Sequence, residues 1–313
     1  MKVRLRATRP DVVVLLALLV FLLAVVVSDE LLAHAPHVAA LAALLLGLAA
    51  LAFRAFLGGA SFLLVGLVLG LPHVNLGLRS PALSDNTCRV TAITFNAKQL
   101  RVADLPALIG LLERNPADVI FLQETPPAAA FREALARSST LADRSVALHA
   151  ERFLAIISRF PLSAAAPARD WLQARATLPG GTSLLLVTGV APKPHVDAQE
   201  AQAYAARLEA LAAQANGQML AGMDMNAGPH SAIMRGLPPL LTDAHAAAGA
   251  GFGFTFPTVE RQLGRLGPWL RIDYLLAGAG LRPVATRVLE ERARSTHLPL
   301  SGTFAVTGVP ACP

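Results

Sequence analysis

Apolar and polar positions are unevenly distributed along this chain. From Val12 to Val27 there is no charge and almost nothing but Val, Leu, Ala and Phe. A second apolar run extends from Val38 to Phe53, and a third from about residue 55 or 60 to Leu71. Arg54 is the one charged residue between Leu31 and Leu78. Extended by a turn at each end, such runs reach the roughly 17–25 residues that cross a ~30 Å hydrocarbon core. Residues 1–78 are therefore expected to form a membrane anchor of three transmembrane helices, with Gly58-Gly59 as the turn between the second and third. A cleaved signal peptide does not fit, because further apolar runs follow the first. Lys2, Arg4, Arg6 and Arg9 precede the first run, whereas Asp29 and Glu30 follow it with no basic residue. By the positive-inside rule the N-terminus stays cytoplasmic, and three crossings place everything after Arg79 outside the cytoplasmic membrane.

After Leu78 the periodicity changes. Residues 79–87 (RSPALSDNT) form a short polar linker, and 88–313 alternate between strand-like and helix-like patterns. Strands are expected at Val90–Phe95, Val119–Leu122, Phe153–Ser158 and Leu184–Val190. Later ones fall at Met219–Ala221, Ile272–Leu276, Val284–Leu289 and Thr303–Val306. Helices are expected at Ala103–Arg114, Ala128–Arg137 and Ala198–Ala215. Pro179-Gly180-Gly181 marks a hairpin turn, and Asn216-Gly217 stops the long helix.

Composition agrees with the first division: 54% of residues are hydrophobic and mean hydropathy is +0.51. The formal net charge of +6 is dispersed, with no Lys/Arg run like a nucleic-acid stripe. An anionic substrate is compatible with that balance. Cys88 and Cys312 flank the second region, where a disulfide between them would staple its ends in an oxidising compartment. The alternative is two unrelated thiols.

Polar residues gather at strand ends: Asn96, Glu124, Asp224 with Asn226, Asp273 and His297. Sites in open α/β sheets form at such ends, although each residue alone fits a cap or a turn. Taken in order, TFN (94–96), QE (123–124), SRFP (158–161), DMN (224–226), TFP (255–257), RIDY (271–274) and THLP (296–299) resemble the endonuclease/exonuclease/phosphatase superfamily across 88–307. The N-terminal runs resemble its membrane-anchored bacterial branch. The resemblance implies a two-sheet α/β sandwich with Glu124 as metal ligand and Asn96 beside it. It also implies Asp224 and Asn226 orienting the attacking water and the phosphate, and His297 acting on that water, held by Asp273. Oxygen ligands suit Mg²⁺, or Mn²⁺ in its place.

Two positions depart from the pattern. Alanine (Ala191) stands where a second histidine is common, and His195 lies roughly 13 Å further on in an extended chain at ~3.3 Å per residue. Threonine (Thr296) stands where an aspartate is usual, and Asp243 is a candidate to replace its charge. The expected activity is metal-dependent phosphoester hydrolysis, of a phosphodiester first, on nucleic acid or phospholipid head groups. The alternative is a catalytically impaired phosphate-binding module of the same fold. A transport role for the apolar runs finds no support, since they carry no cluster of ionisable groups.

Overall fold

The computed structural model describes residues 9–27, 36–53, 55–71, 74–76, 87–98, 101–237 and 240–310. The chain divides into two compact units, one of Met1–Asn75 with Pro229–Ser231 and one of Leu76–Gly228 with Ala232–Pro313.

The first unit contains α1 (Arg9–Val27), α2 (Pro36–Ala52) and α3 (Phe56–Gly70). The expectation of transmembrane helices is corrected here: no helix among the described residues is long and apolar enough to cross a membrane. At 19, 17 and 15 residues and 1.5 Å per residue, they rise about 28, 26 and 22 Å, less than a ~30 Å hydrocarbon core. Arg9 and Asp11 lie in the first turn of α1. Asp11 is buried, and its Oδ1 accepts from Leu57 N at 3.0 Å and Gly58 N at 3.3 Å. It thus caps the positive end of α3.

Gly58 and Gly59 are not the expected turn. They lie inside α3, where a Cβ would meet Val14 at 2.5 Å and Leu51 at 2.7 Å. The missing side chains allow the helices to approach closely. Arg54 and the loop at 28–35 lie outside the described residues. So does the 79–87 linker except Thr87.

The second unit is a two-sheet sandwich with helices on both outer faces. One sheet is built from β1 (Thr87–Asn96), β2 (Val119–Gln123), β3 (Ser145–His149), β4 (Leu154–Ser158), β11 (Leu281–Val288) and β12 (Leu300–Pro310). Its spatial order is β11-β12-β1-β2-β4-β3. The other contains β5 (Leu162–Pro167), β6 (Trp171–Thr177), β7 (Ser183–Val190), β8 (Met219–Asp224), β9 (Leu241–Asp243) and β10 (Asp273–Gly278), ordered β9-β10-β8-β7-β6-β5. Each sheet has one parallel pair, β1/β2 and β7/β8. The first crossover runs through α4 (Leu105–Arg114) and the second through α6 (Ala198–Gln214); α5 (Ala128–Ala136) follows β2.

Strand side chains alternate between faces, so central strands need apolar residues on both. In β1, Val90 and Ala92 pack between the sheets, while Ile93 and Phe95 face α4 and α5. In β2, Phe121 points inward and Ile120 and Leu122 outward. On the far side Tyr204, Leu208 and Ala212 of α6 cover Leu185, Met219 and Met223. The sheets approach closely at Gly222, where a Cβ would lie 2.5 Å from Phe121. Cys88 is buried and disulfide-bonded; Cys312 lies outside the described residues.

Candidate active site

β1 and β2 end together, with Asn96 opposite Gln123, and β7 and β8 end with Val190 opposite Asp224. Asn96 joins the two sheets at these ends. Its Nδ2 donates to Glu124 Oε1 and to Asp224 Oδ2, both at 2.9 Å. Antiparallel pairing places Asp273 of β10 directly opposite Asp224. His297 Nδ1 lies 2.9 Å from Asp273 Oδ2 and 3.2 Å from Oδ1. Asn226 N donates to Asp224 Oδ1 at 2.9 Å, and its side-chain amide donates to Ala191 O at 2.9 Å. All six residues expected from the sequence therefore converge.

The exits of the three strands share a backbone signature. Lys98, Glu124 and Asn226 have φ of 53°, 47° and 48°. Left-handed backbone disfavours residues carrying a Cβ, and such residues concentrate at functional sites.

Further residues surround these six, among them Gln123 and Phe256 of the QE and TFP strings. Lys98 Nζ lies 3.0 Å from both Glu124 oxygens. Ser295 Oγ donates to Asn96 O at 2.6 Å and accepts from His297 N at 3.0 Å, tying the histidine loop to β1. Buried Gln123 donates to Thr94 and Thr188 hydroxyls and to Gly222 O, pinning the sheets beneath the site. The Phe256 ring lies 4.7 Å from the His297 ring, between centroids, with Arg261 5.5 Å from Phe256. Of these, Lys98 carried no readable sequence signal, because a lone lysine in a loop is too common for sequence alone to single it out.

The departures are equally defined. His195 is exposed, while buried Ala191 offers only its main chain to Asp224 and Asn226. Asp243 is not a substitute for a carboxylate at Thr296. Its oxygens are taken by Arg271 at 2.6 Å and by the backbone of His245 and Ala246. Thr296 Oγ1 is buried without a hydrogen-bond partner among the described residues.

Burial and the neighbouring Asp273 push the Asp224 carboxyl up to about 6, despite His297 and the amides of Asn226 and Asn96. Burial also pushes Glu124 upward, but the hydrogen bonds from Asn96 and Lys98 and the Lys98 charge hold it below its ordinary value. For His297, burial lowers the pKa, and the Asp273 charge and hydrogen bond, with Asp224 and Glu124, outweigh it and raise it. Buried negative charge of this kind suits a cation. Asp224, Asp273 and His297 offer ligand atoms all within 4.8 Å of one another. Asn96 turns its amide nitrogen to Glu124 and Asp224, so beside the Asp273–His297 pair the carboxylate oxygens of Asp224 and Glu124 are the hard donors for a divalent ion.

Comparison with known proteins bears on the family and the fold. The Endonuclease/Exonuclease/phosphatase family profile matches residues 93–297. No curated protein matches. Among solved structures, a humanized D. rerio TDP2 is similar at 19% identity, covering 70% of this chain and 99% of its own, with a TM-score of 0.58. A Bacteroides thetaiotaomicron endonuclease/exonuclease/phosphatase family protein follows at 12% identity, 70% and 98% coverage and a TM-score of 0.55. The mannosyl-6-phosphatase of the same species has 13% identity, 69% and 99% coverage and a TM-score of 0.54. At these identities the likeness speaks for the fold, while the profile match covers more than half of the chain. The protein belongs to the endonuclease/exonuclease/phosphatase family.

Proposed function

We propose that the protein is a divalent-metal-dependent phosphoester hydrolase, with a phosphodiester as its first candidate substrate. The carrying observation is the Asp273–His297 pair set beside Asp224, with Asn96 linking Asp224 to Glu124. Glu124 and Asn96 hold Mg²⁺ or Mn²⁺ in this reading. When bound, the ion neutralises charge developing on the phosphoryl oxygens. With Nδ1 engaged by Asp273, His297 presents Nε2 to the substrate side. There it removes the proton of the attacking water or, while protonated, stabilises the phosphorane-like transition state. Asp224 and Asn226 orient that water and the phosphate.

Titrated Mg²⁺ or Mn²⁺ with bis-p-nitrophenyl phosphate tests this on the full chain in detergent. Metal-dependent turnover abolished by both Glu124→Ala and His297→Ala is the expected result. Turnover that survives both substitutions refutes the assignment. The similarity to a D. rerio TDP2 complexed with single strand DNA product favours including nucleic acid in the substrate set. Phospholipid head groups are the second class.

The helical unit supports a location at the cytoplasmic membrane. Its helices are apolar all round: Val13, Leu16, Val20, Leu45, Leu64 and Val68 are all exposed, which water disfavours. The disulfide at Cys88 supports an extracytoplasmic face for the second unit. Carbonate extraction of the full chain tests the association; release into the soluble fraction refutes it.

A second reading, a phosphate-binding module with little turnover, is favoured by Ala191. Alanine there brings no polar side chain to the site, and loss of a general acid or base costs about 10²–10⁴ in rate. Metal-dependent phosphate binding without turnover distinguishes it.

A further inference from the structure

Glu124, the carboxylate assigned above to the divalent ion, already holds a cation. Lys98 Nζ contacts both of its oxygens at 3.0 Å. The backbone N–H of the same lysine donates to Asn96 Oδ1 at 2.8 Å. One residue thus engages both proposed metal ligands, the carboxylate through its ammonium and the amide oxygen through its main chain.

The local backbone aims it there. Lys98 lies two residues beyond β1 in left-handed conformation, which a lysine adopts less readily than glycine or asparagine. The pair also has a way out. The Lys98 side chain is 46% exposed against 21% for Glu124, so the ammonium can return to water while the carboxylate stays in the cleft. Half-exposed ion pairs are weak, whereas a dication draws twice the charge onto the same oxygens.

We propose that Lys98 is a tethered counter-ion of the metal site, seated on Glu124 until a divalent ion displaces it. The inference rests on Glu124 and Asn96 being metal ligands. It makes metal loading a competition between an internal monovalent cation and an external divalent one, so this residue sets the concentration at which the site fills.

The test uses the full chain in detergent, Mn²⁺ as probe, and two readouts that need no turnover. The first is reductive methylation with isotopic formaldehyde, read by peptide mass spectrometry. Lys193 is exposed and serves as internal control, the only other lysine besides Lys2. Saturating Mn²⁺ is expected to raise labelling of Lys98 several-fold and leave Lys193 unchanged. The second is Mn²⁺ affinity by electron paramagnetic resonance. Lys98→Met is expected to tighten it by about 10-fold, as removal of a neighbouring cation should, while Lys193→Met leaves it alone. Equal labelling of Lys98 with and without saturating Mn²⁺ overturns the proposal and leaves the metal ligands standing. Mn²⁺ affinity indifferent to both Glu124→Ala and Lys98→Met overturns the proposal and the ligand assignment together.

Discussion

Replacing Asp224 by asparagine separates the stability of the site from its chemistry. Asp224 is raised from 3.8 to about 6 by burial and by Asp273. A carboxyl with a raised pKa stabilises the fold below its unfolded value, and that stabilisation is lost as pH rises through about 6. At 1.36 kcal/mol per unit, the metal-free protein loses on the order of 3 kcal/mol from this group between pH 4 and 8. His297, also raised, adds a loss of the same sign above its ordinary value, whereas the lowered Glu124 acts oppositely, in the acid range.

Asparagine removes the charge but turns one amide hydrogen-bond partner away from Asn96, costing about 1 kcal/mol. In EDTA, Asp224→Asn should therefore be more stable than the parent by about 2 kcal/mol at pH 8 and slightly less stable at pH ~3.5. Guanidinium unfolding followed by tryptophan fluorescence reads this cleanly, because both tryptophans, Trp171 and Trp269, lie in the second unit. Mg²⁺ at 100 times its Kd should add about 2.7 kcal/mol to the parent. A variant less stable at pH 8, or a difference that does not change with pH, refutes the reasoning.

Three further outcomes are expected. Asp273→Asn should lower kcat by about 10²–10⁴ with little change in KM, and histidine NMR should show His297 losing its proton at lower pH. Gly222→Ala forces a Cβ to within 2.5 Å of Phe121 and should cost about 1–3 kcal/mol of stability by overpacking, seen as an earlier unfolding midpoint. Asp11→Ala removes the cap on α3 and should destabilise the helical unit by about 1–2 kcal/mol. Circular dichroism in detergent checks that; an unchanged melt would count against the cap.

The strand-end residues were legible because their chemistry is rare in apolar surroundings. Asn96, Glu124, Asp224 and Asp273 each interrupt or end a β-branched or aliphatic run, and all of them enter the site. The turn signals also held: Gly180 and Gly181 have φ of 85° and 83°, and Asn216-Gly217 has 49° and 76°. Four strands escaped notice. Ser145–His149, Leu162–Pro167, Trp171–Thr177 and Leu241–Asp243 lie at or next to an edge of their sheets, and β5 reads LSAAAP with mostly small, exposed side chains. Pairing with neighbours, rather than intrinsic preference, makes them strands. Gly58 and Gly59 misled for a related reason: between apolar runs a glycine pair looks like a turn, but partners distant in sequence make it a packing surface. The role of Asp11 left no local signal, because the amides it accepts from lie 46 and 47 residues away.

The left-handed residues at the three strand exits carry a consequence for anyone hoping to harden this protein. Glycine would relax the backbone at Lys98, Glu124 and Asn226, each of which sits about 1–2 kcal/mol above an unstrained residue. Yet glycine would delete an ammonium, a carboxylate and an amide from the cleft. A campaign selecting on melting temperature alone would be drawn to these positions and would return a sturdier, inert protein. Thermal robustness and hydrolysis should therefore be screened together, with mutations directed to the outer helices.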